Sequence, residues 1–497
     1  MMAAAGVAAL TGLLVALAMP RGPATAAQAL FVMATSLVVG LVAGMVMRSR
    51  WAMLLAPVAY VIAVEIGRLD VVGPTVDAIR LDNTYGILAL ILGRGFHGLV
   101  GLLPMILGAG LGVALARKVS RTTAPAARPA GRLRTFVQWT PALVVSIGLI
   151  TLALLIARPA STPPILGADG RPLPGSVAEL AMVQLGAHDQ AVMIRGYNVD
   201  NPVLLYLSGG TGQTDLAYSR VLFDDLTRDF VVVGWDQRGT GKSYAALDPT
   251  STLTLDQAVA DTIELTNYLR ERFGEEKIYL TGESWGTTLG VLAVQRQPEL
   301  YYAFIASGQM VSQRETDRRL YQDVLGLAER TGDTELINKM LAYGEPPYAD
   351  IPYANVFVMG YYDALYKPYS PPQAYIERGT GAGLGPWGML GSEYNLVEKV
   401  NVLRGLIDMF TVMYPQLQGI DFRRDVTRLE VPLYILDGEA ELVSRRELAL
   451  EWFDQLDAPI KRIFSFENAG HSVSFEQFEA FQQIMTEIIL PETYPNP

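Results

Sequence analysis

The chain has no cysteine. That excludes disulfides, thiolate metal sites and a cysteine nucleophile, and it fits either side of a bacterial membrane. Histidine is nearly absent: His97, His188 and His471 are the only three among 497 residues. A mechanism that needs an imidazole base therefore has almost no choice. Charge is also scarce, at 18% of residues, and acid outnumbers base. The net charge of -11 argues against a nucleic-acid partner. Hydrophobic residues fill the gap, at 50% of the chain with a mean hydropathy of +0.24. The chain is too apolar for an ordinary soluble protein and too long for one typical domain.

The apolar surplus lies at the front, in runs over residues 3–19, 27–47, 51–66, 86–116 and 141–157. A helix needs about 20 apolar residues to cross a bilayer. The second and fifth runs meet that length. The first competes with a signal peptide, but it lacks a basic start and another run soon follows. The third is short and ends at Glu65. The fourth is too long for one span and contains Arg94 and His97. It reads as a crossing part over 97–116, preceded by an interfacial or re-entrant piece. A functional role for Arg94 and His97 competes there with a plain interface position. Basic residues set the orientation. Arg117, Lys118, Arg121, Arg128, Arg132 and Arg134 mark one cytoplasmic loop, and Arg48 and Arg50 another. With about five spans, Trp51 and Trp139 anchor the cytoplasmic interface and the C-terminal part lies outside. Four or six spans would reverse that side. No internal repeat points to a transporter, so residues 1–157 read as a multi-pass anchor in the cell membrane, with lipid as its partner.

Residues 158–175 contain five prolines and read as a linker. From 176 to the end the pattern becomes short strands alternating with amphipathic helices. Residues 177–186 and 190–197 form a hairpin; strands follow at 203–207, 230–235, 278–280, 302–306, 431–436 and 462–466. Such alternation means a mostly parallel sheet with helices on both faces, an α/β fold. Over about 311–427 the alternation stops. That insert is rich in Tyr, Pro and Gly, partly helical, and placed where a cap over a site would be.

One stretch carries the chemistry. Residues 278–280 are apolar and run into Gly282-Glu283-Ser284-Trp285-Gly286, followed by a helical pattern. This is Gly-x-Ser-x-Gly on a strand-to-helix turn, a nucleophile elbow. Glycine on each flank leaves room for the turn, and the helix N-terminus favours negative charge near the hydroxyl. A serine needs a base, and the base needs an orienting acid, in the chain order Ser, acid, His. Downstream of Ser284 there is one histidine, His471, in the loop after the last strand. The acid should follow the strand at 431–436, where Asp437, Glu439 and Glu441 compete. The usual Gly-x-x-acid spacing from Gly438 selects Glu441, with Asp437 as the alternative. The N–H groups of Gly210, in Ser208-Gly209-Gly210-Thr211-Gly212, and of Trp285 form the candidate oxyanion hole. Gly239-Thr240-Gly241-Lys242-Ser243 ends like a phosphate loop, but Asp236 stands where the first glycine is required, so that motif fails.

Asp236-Gln237-Arg238-Gly239-Thr240-Gly241-Lys242-Ser243 resembles the prolyl aminopeptidase (proline iminopeptidase) branch of the α/β-hydrolases. Three further stretches are similar to that family. They are Gly282–Leu289 at the elbow, Ser208–Gly212 against a His-Gly-Gly-Pro-Gly loop, and Gly308-Gln309 after the next strand. The resemblance covers about residues 200–312 and 431–475 and leaves the membrane third outside. It implies an α/β-hydrolase fold with a mostly helical cap. The implied enzyme is a serine hydrolase releasing N-terminal residues, often proline, from short peptides, with no cofactor and no metal. It also implies cap carboxylates that bind the substrate's amino group. The insert does not match the family's cap, so Glu315, Asp317, Asp363, Glu377 and Glu393 remain open candidates. An esterase acting on lipid-like substrates would use the same triad, and a membrane sensor with a degenerate hydrolase domain is the non-enzyme alternative.

Overall fold

The computed structural model describes residues 2–121 and 132–495. It forms two compact units: Met1–Ala160 with Asn395–Arg404, and Ser161–Tyr394 with Gly405–Pro497.

The first unit is helical. Among the described residues, three helices are long and apolar enough to cross a membrane: Ala26–Met47, Thr84–Val119 and Trp139–Ala157. Met2–Ala18 and Ala52–Gly67 are apolar but shorter. The centre of the expected basic loop, including Arg128, lies outside the described residues. Residues 86–116, expected as an interfacial or re-entrant piece followed by a crossing part, show no re-entrant break. Thr84–Leu90 passes through a π-helical turn, Ile91–Gly95, into Phe96–Arg121 as one helical run. Arginine is a good helix former, and Arg94 lies within the π turn itself. Arg94 pairs with Glu65 at 3.0 Å and donates to the Val76 carbonyl at 2.8 Å, and His97 shares a 2.9 Å hydrogen bond with the Tyr60 hydroxyl. Small residues set how closely two of these helices approach. A Cβ at Gly40 or Gly44 would stand 2.0 or 2.2 Å from the carbonyls of Met105 and Ala109. One at Gly108 or Gly112 would stand 2.1 Å from those of Leu37 and Leu41. This is Gly-x-x-x-Gly packed against Gly-x-x-x-Gly. The segment Asn395–Arg404, expected in the cap insert, groups with these helices. Buried Arg404 donates to the carbonyls of Pro23 and Leu92, both at 2.9 Å, and lies over the Phe96 ring.

The second unit is an eight-stranded sheet in the order β1-β2-β4-β3-β5-β6-β7-β8. The strands are β1 Val177–Leu185, β2 His188–Gly196, β3 Val203–Leu207, β4 Val231–Asp236, β5 Ile278–Glu283, β6 Tyr301–Ser307, β7 Leu433–Gly438 and β8 Lys461–Phe466. β1 and β2 form the expected hairpin; the β1–β2 and β2–β4 pairings are antiparallel, and every other pairing is parallel. β3, β4 and β5 are buried along their whole length, which explains the apolar runs that open β4 and β5 and fill β3. The helix Leu255–Phe273 starts at Thr254, whose side chain accepts from Gln257 N–H, and stops at Gly274 in the left-handed region (φ 71°). Much of the proline-rich stretch read as linker belongs to this unit. Arg195 on β2 donates to Thr162 at 2.9 Å and to the Pro163 carbonyl at 2.6 Å. The insert is largely helical. Gln313–Thr331, Thr334–Tyr343 and Ile351–Met359 share a buried cluster that includes Leu320, Val324 and Met340.

Candidate active site

β5 ends at Glu283 and the helix Trp285–Arg296 begins at once, leaving Ser284 alone on the turn. Its backbone sits at φ 52°, ψ -119°, a region an L-residue occupies only under strain. The flanking glycines are sterically required. A Cβ at Gly286 would stand 2.1 Å from the Leu207 carbonyl, and one at Gly282 2.5 Å from that of Gly286. The Ser284 N–H donates to the Ser307 carbonyl at 3.0 Å, which ties the turn to the end of β6.

His471 lies in the loop after β8, and its Nδ1 is hydrogen-bonded to Glu441 Oε2. The other Glu441 oxygen accepts Leu442 N–H at 2.7 Å and lies 3.7 Å from Arg445 Nη1. Burial works to raise the Glu441 carboxyl. The charge and hydrogen bond of His471, with Arg445 and the Leu442 N–H, outweigh it and hold the group below its ordinary range. Asp437 faces elsewhere, bonded to Arg446 at 2.8 Å and to Ser465 at 2.9 Å. Geometry therefore brings Glu441, and not Asp437, to the imidazole.

Ser284 and His471 approach through their neighbours. Glu283 accepts from the Ser472 hydroxyl at 2.7 Å, and Ser307 Oγ accepts Ser474 N–H at 3.0 Å. A Cβ at Gly308 would stand 2.9 Å from the His471 ring, so only glycine lets the imidazole lie there. Among the described residues no hydrogen bond joins Ser284 Oγ to the ring. Such bonds in a free enzyme are often long and tighten with substrate. On the other side, a Cβ at Gly209 would stand 3.3 Å from Ser284 Cβ, and Gly210 adopts φ 97°. Gln237 joins the elbow to this loop, accepting from Trp285 Nε1 at 2.8 Å and donating to the Ser208 carbonyl at 3.1 Å.

Residues 202–362 match the alpha/beta hydrolase fold family. The chain carries an α/β-hydrolase domain. It is 28% identical over 312 residues to Probable aminopeptidase YbaC of Bacillus subtilis (strain 168), covering 63% of this chain and 96% of that one. It is 24% identical over 305 residues to a proline iminopeptidase of Lactobacillus delbrueckii subsp. bulgaricus, covering 60% and 93%. Among solved structures, a proline iminopeptidase-related protein of Thermus thermophilus aligns at 25% identity and a TM-score of 0.44, over 64% of this chain and 99% of that one.

Within the hydrolase domain, the five carboxylates considered for the amino group have varied partners. Glu315 pairs with Arg318 and Arg319, and Glu393 is buried against Arg220. Buried Asp317 accepts from Tyr414 at 2.6 Å and Gln418 at 2.9 Å. Glu377 accepts from Gln373 at 2.9 Å, and Asp363 is exposed on a short helix. The hydrolase motif Asp-Gln-Arg-Gly also gains physical roles. Asp236 accepts Lys242 N–H at 2.8 Å, and buried Arg238 pairs with Asp261 at 2.8 Å. Gln237, Glu283, Arg445 and Ser472 were not singled out as site residues. Gln237, Glu283 and Ser472 stand within or beside the motifs and Arg445 outside them, and nothing local shows which segments they join.

Proposed function

We propose that the chain is a membrane-anchored serine hydrolase of prolyl-aminopeptidase type, releasing N-terminal residues from short peptides. Ser284 Oγ attacks the carbonyl while His471, held at Nδ1 by Glu441, takes the hydroxyl proton at Nε2. The oxyanion that forms is received by the N–H groups of Gly210 and Trp285. His471 then gives its proton to the leaving amine, and water, deprotonated by the same ring, releases the acyl group. Nothing in these steps calls for a metal or a cofactor. The observation that carries this reading is the Glu441–His471 pair reaching the sheet edge where Ser284 is held in a strained turn. The peptide class is supported by the names of the curated relatives, an aminopeptidase and a proline iminopeptidase.

The anchor consists of about five spans within residues 1–157, with the hydrolase domain on the outer side. The three long and two shorter apolar helices support this. Protease added to intact cells is expected to reach the hydrolase domain; full protection would place it inside. For activity, the full chain in detergent is offered prolyl and other aminoacyl arylamides beside short and long acyl esters. Arylamide cleavage that needs a free amino group and disappears in Ser284→Ala is the expected result. Ester cleavage alone would replace the peptidase by an acyl hydrolase. No turnover, and no labelling of Ser284 by a fluorophosphonate, would leave a non-catalytic membrane protein.

A further inference from the structure

Three carboxylates lie buried beside the elbow: Asp215, Glu283 and Glu476. They come from the three segments that the reaction needs. Asp215 follows the glycine loop of the oxyanion hole, Glu283 directly precedes Ser284, and Glu476 follows His471. Their bonds cross between those segments. Tyr206, at the end of β3, points its hydroxyl at Asp215 (3.1 Å) and at Glu283 (3.4 Å). Ser472, next to His471, donates to Glu283 at 2.7 Å. Glu476 accepts Gly470 N–H at 2.7 Å, on the other side of His471. Gln213, in the oxyanion loop, donates to Asp215 at 2.9 Å. Among the described residues none of the three acids forms an ion pair with lysine or arginine. A salt bridge does not account for them.

We propose that Glu283 is a positioning residue whose carboxyl keys the histidine loop, through Ser472, to the nucleophile elbow, and both to the oxyanion loop through Tyr206 and Asp215. This rests on the triad proposed above. Buried acids this close cannot all ionise. Burial first, and then the neighbouring charges of Asp215 and Glu476, push Glu283 up to about 8. The groups that face it are Asp215, Glu476, Tyr206, Tyr375 and Ser472, none of them cationic. At neutral pH the Asp215–Glu283 pair therefore holds a proton, which completes the hydrogen bonds where the three segments meet. When that proton leaves, two carboxylates oppose each other across Tyr206. A negative charge then stands one residue from the alcohol whose attack creates an oxyanion on the substrate. The rate should fall as a result.

The test uses the full chain in detergent with the aminoacyl arylamide that it cleaves best. kcat is followed from pH 6.5 to 9.5, because kcat/KM also reports the substrate's own amine. Wild-type kcat is expected to fall as pH passes about 8. Glu283→Gln keeps the shape but cannot ionise, and should show no such fall. Glu283→Ala should lie about tenfold or more below Glu283→Gln at pH 7, with KM shifted by less than about twofold, as expected when positioning and not binding is lost. An alkaline fall unchanged in Glu283→Gln would overturn the proposal. So would equal kcat in the glutamine and alanine variants. Ser284→Ala runs in parallel. Activity in that variant sinks the triad itself, whereas an inactive Ser284→Ala beside wild-type-like Glu283 variants sinks only the role of Glu283.

Discussion

Both units depend on glycine, for different reasons. In the helical unit, Gly40, Gly44, Gly108 and Gly112 lie in regular helices, and what they provide is distance. Without a Cβ, one helix reaches the carbonyls of the other. In the hydrolase unit, Gly282 and Gly286 brace a turn whose central residue is itself strained, at φ 52°. There the missing Cβ lets one loop pass another and aims a side chain. The same residue thus serves stability in one unit and alignment of reacting groups in the other. Packing tolerates graded losses, whereas alignment has little tolerance: a shift of about 1 Å is enough to cost roughly 100-fold in rate.

The sharpest break of this contrast is Ser284→Ala. It leaves the turn in place and is expected to remove roughly 10^4- to 10^6-fold of kcat, read in the arylamide assay. Next, Glu441→Gln should lower kcat by about 10^2- to 10^4-fold, since it takes the charge and the orienting bond from His471. Gly286→Ala places a methyl against the Leu207 carbonyl and is expected to cost about 100-fold in kcat in a protein that still folds. Asp437→Asn should leave kcat within about threefold and show instead as a loss of roughly 1–3 kcal/mol of stability, from its broken pair with Arg446. A larger kcat loss in Asp437→Asn than in Glu441→Gln would move the acid to Asp437. Gly44→Ala, the matching glycine change in the helical unit, is expected to lower the melting temperature in detergent through a loss of roughly 1–3 kcal/mol while leaving kcat alone. If Gly44→Ala abolished turnover and Gly286→Ala did not, the division of labour between the two kinds of glycine would be wrong.

One stability effect follows from Glu283. Its carboxyl is raised from 4.5 to about 8 in the folded chain, so folding favours its protonated form. Such a group stabilises fully below its unfolded value and loses that contribution as pH rises through the folded one. Glu283→Gln should therefore melt like wild type near pH 4.5 and above it near pH 8, with the gap growing between. A constant gap across that range would mean that the carboxyl does not titrate where stated.

Much of the hydrolase unit was readable because its physics is local. Unbroken apolar runs at 203–207 and 278–280 announce buried parallel strands. Gly-x-Ser-x-Gly announces a turn that few other residues can make. Scarcity helped too, since only one histidine follows Ser284. Other features were not readable. The run over 86–116 is too long for one span and contains Arg94 and His97, which suggests a break, yet it is one helical run in which Arg94 finds Glu65 on another helix. Residues 395–404 looked like cap, yet the carbonyls that Arg404 reaches belong to Pro23 and Leu92, some three hundred positions earlier.

The sequence by itself determined the kind of sheet, the elbow serine and the lone histidine behind it, because periodicity and turn chemistry act over a few neighbours. Spacing already favoured Glu441 among three nearby carboxylates, but only the tertiary structure turned Asp437 away to Arg446 and Ser465 and set how Glu283, Gln237 and Ser472 join their segments. Those choices are hydrogen bonds between segments up to about two hundred positions apart, and their geometry exists only once the sheet has brought the segments to one edge.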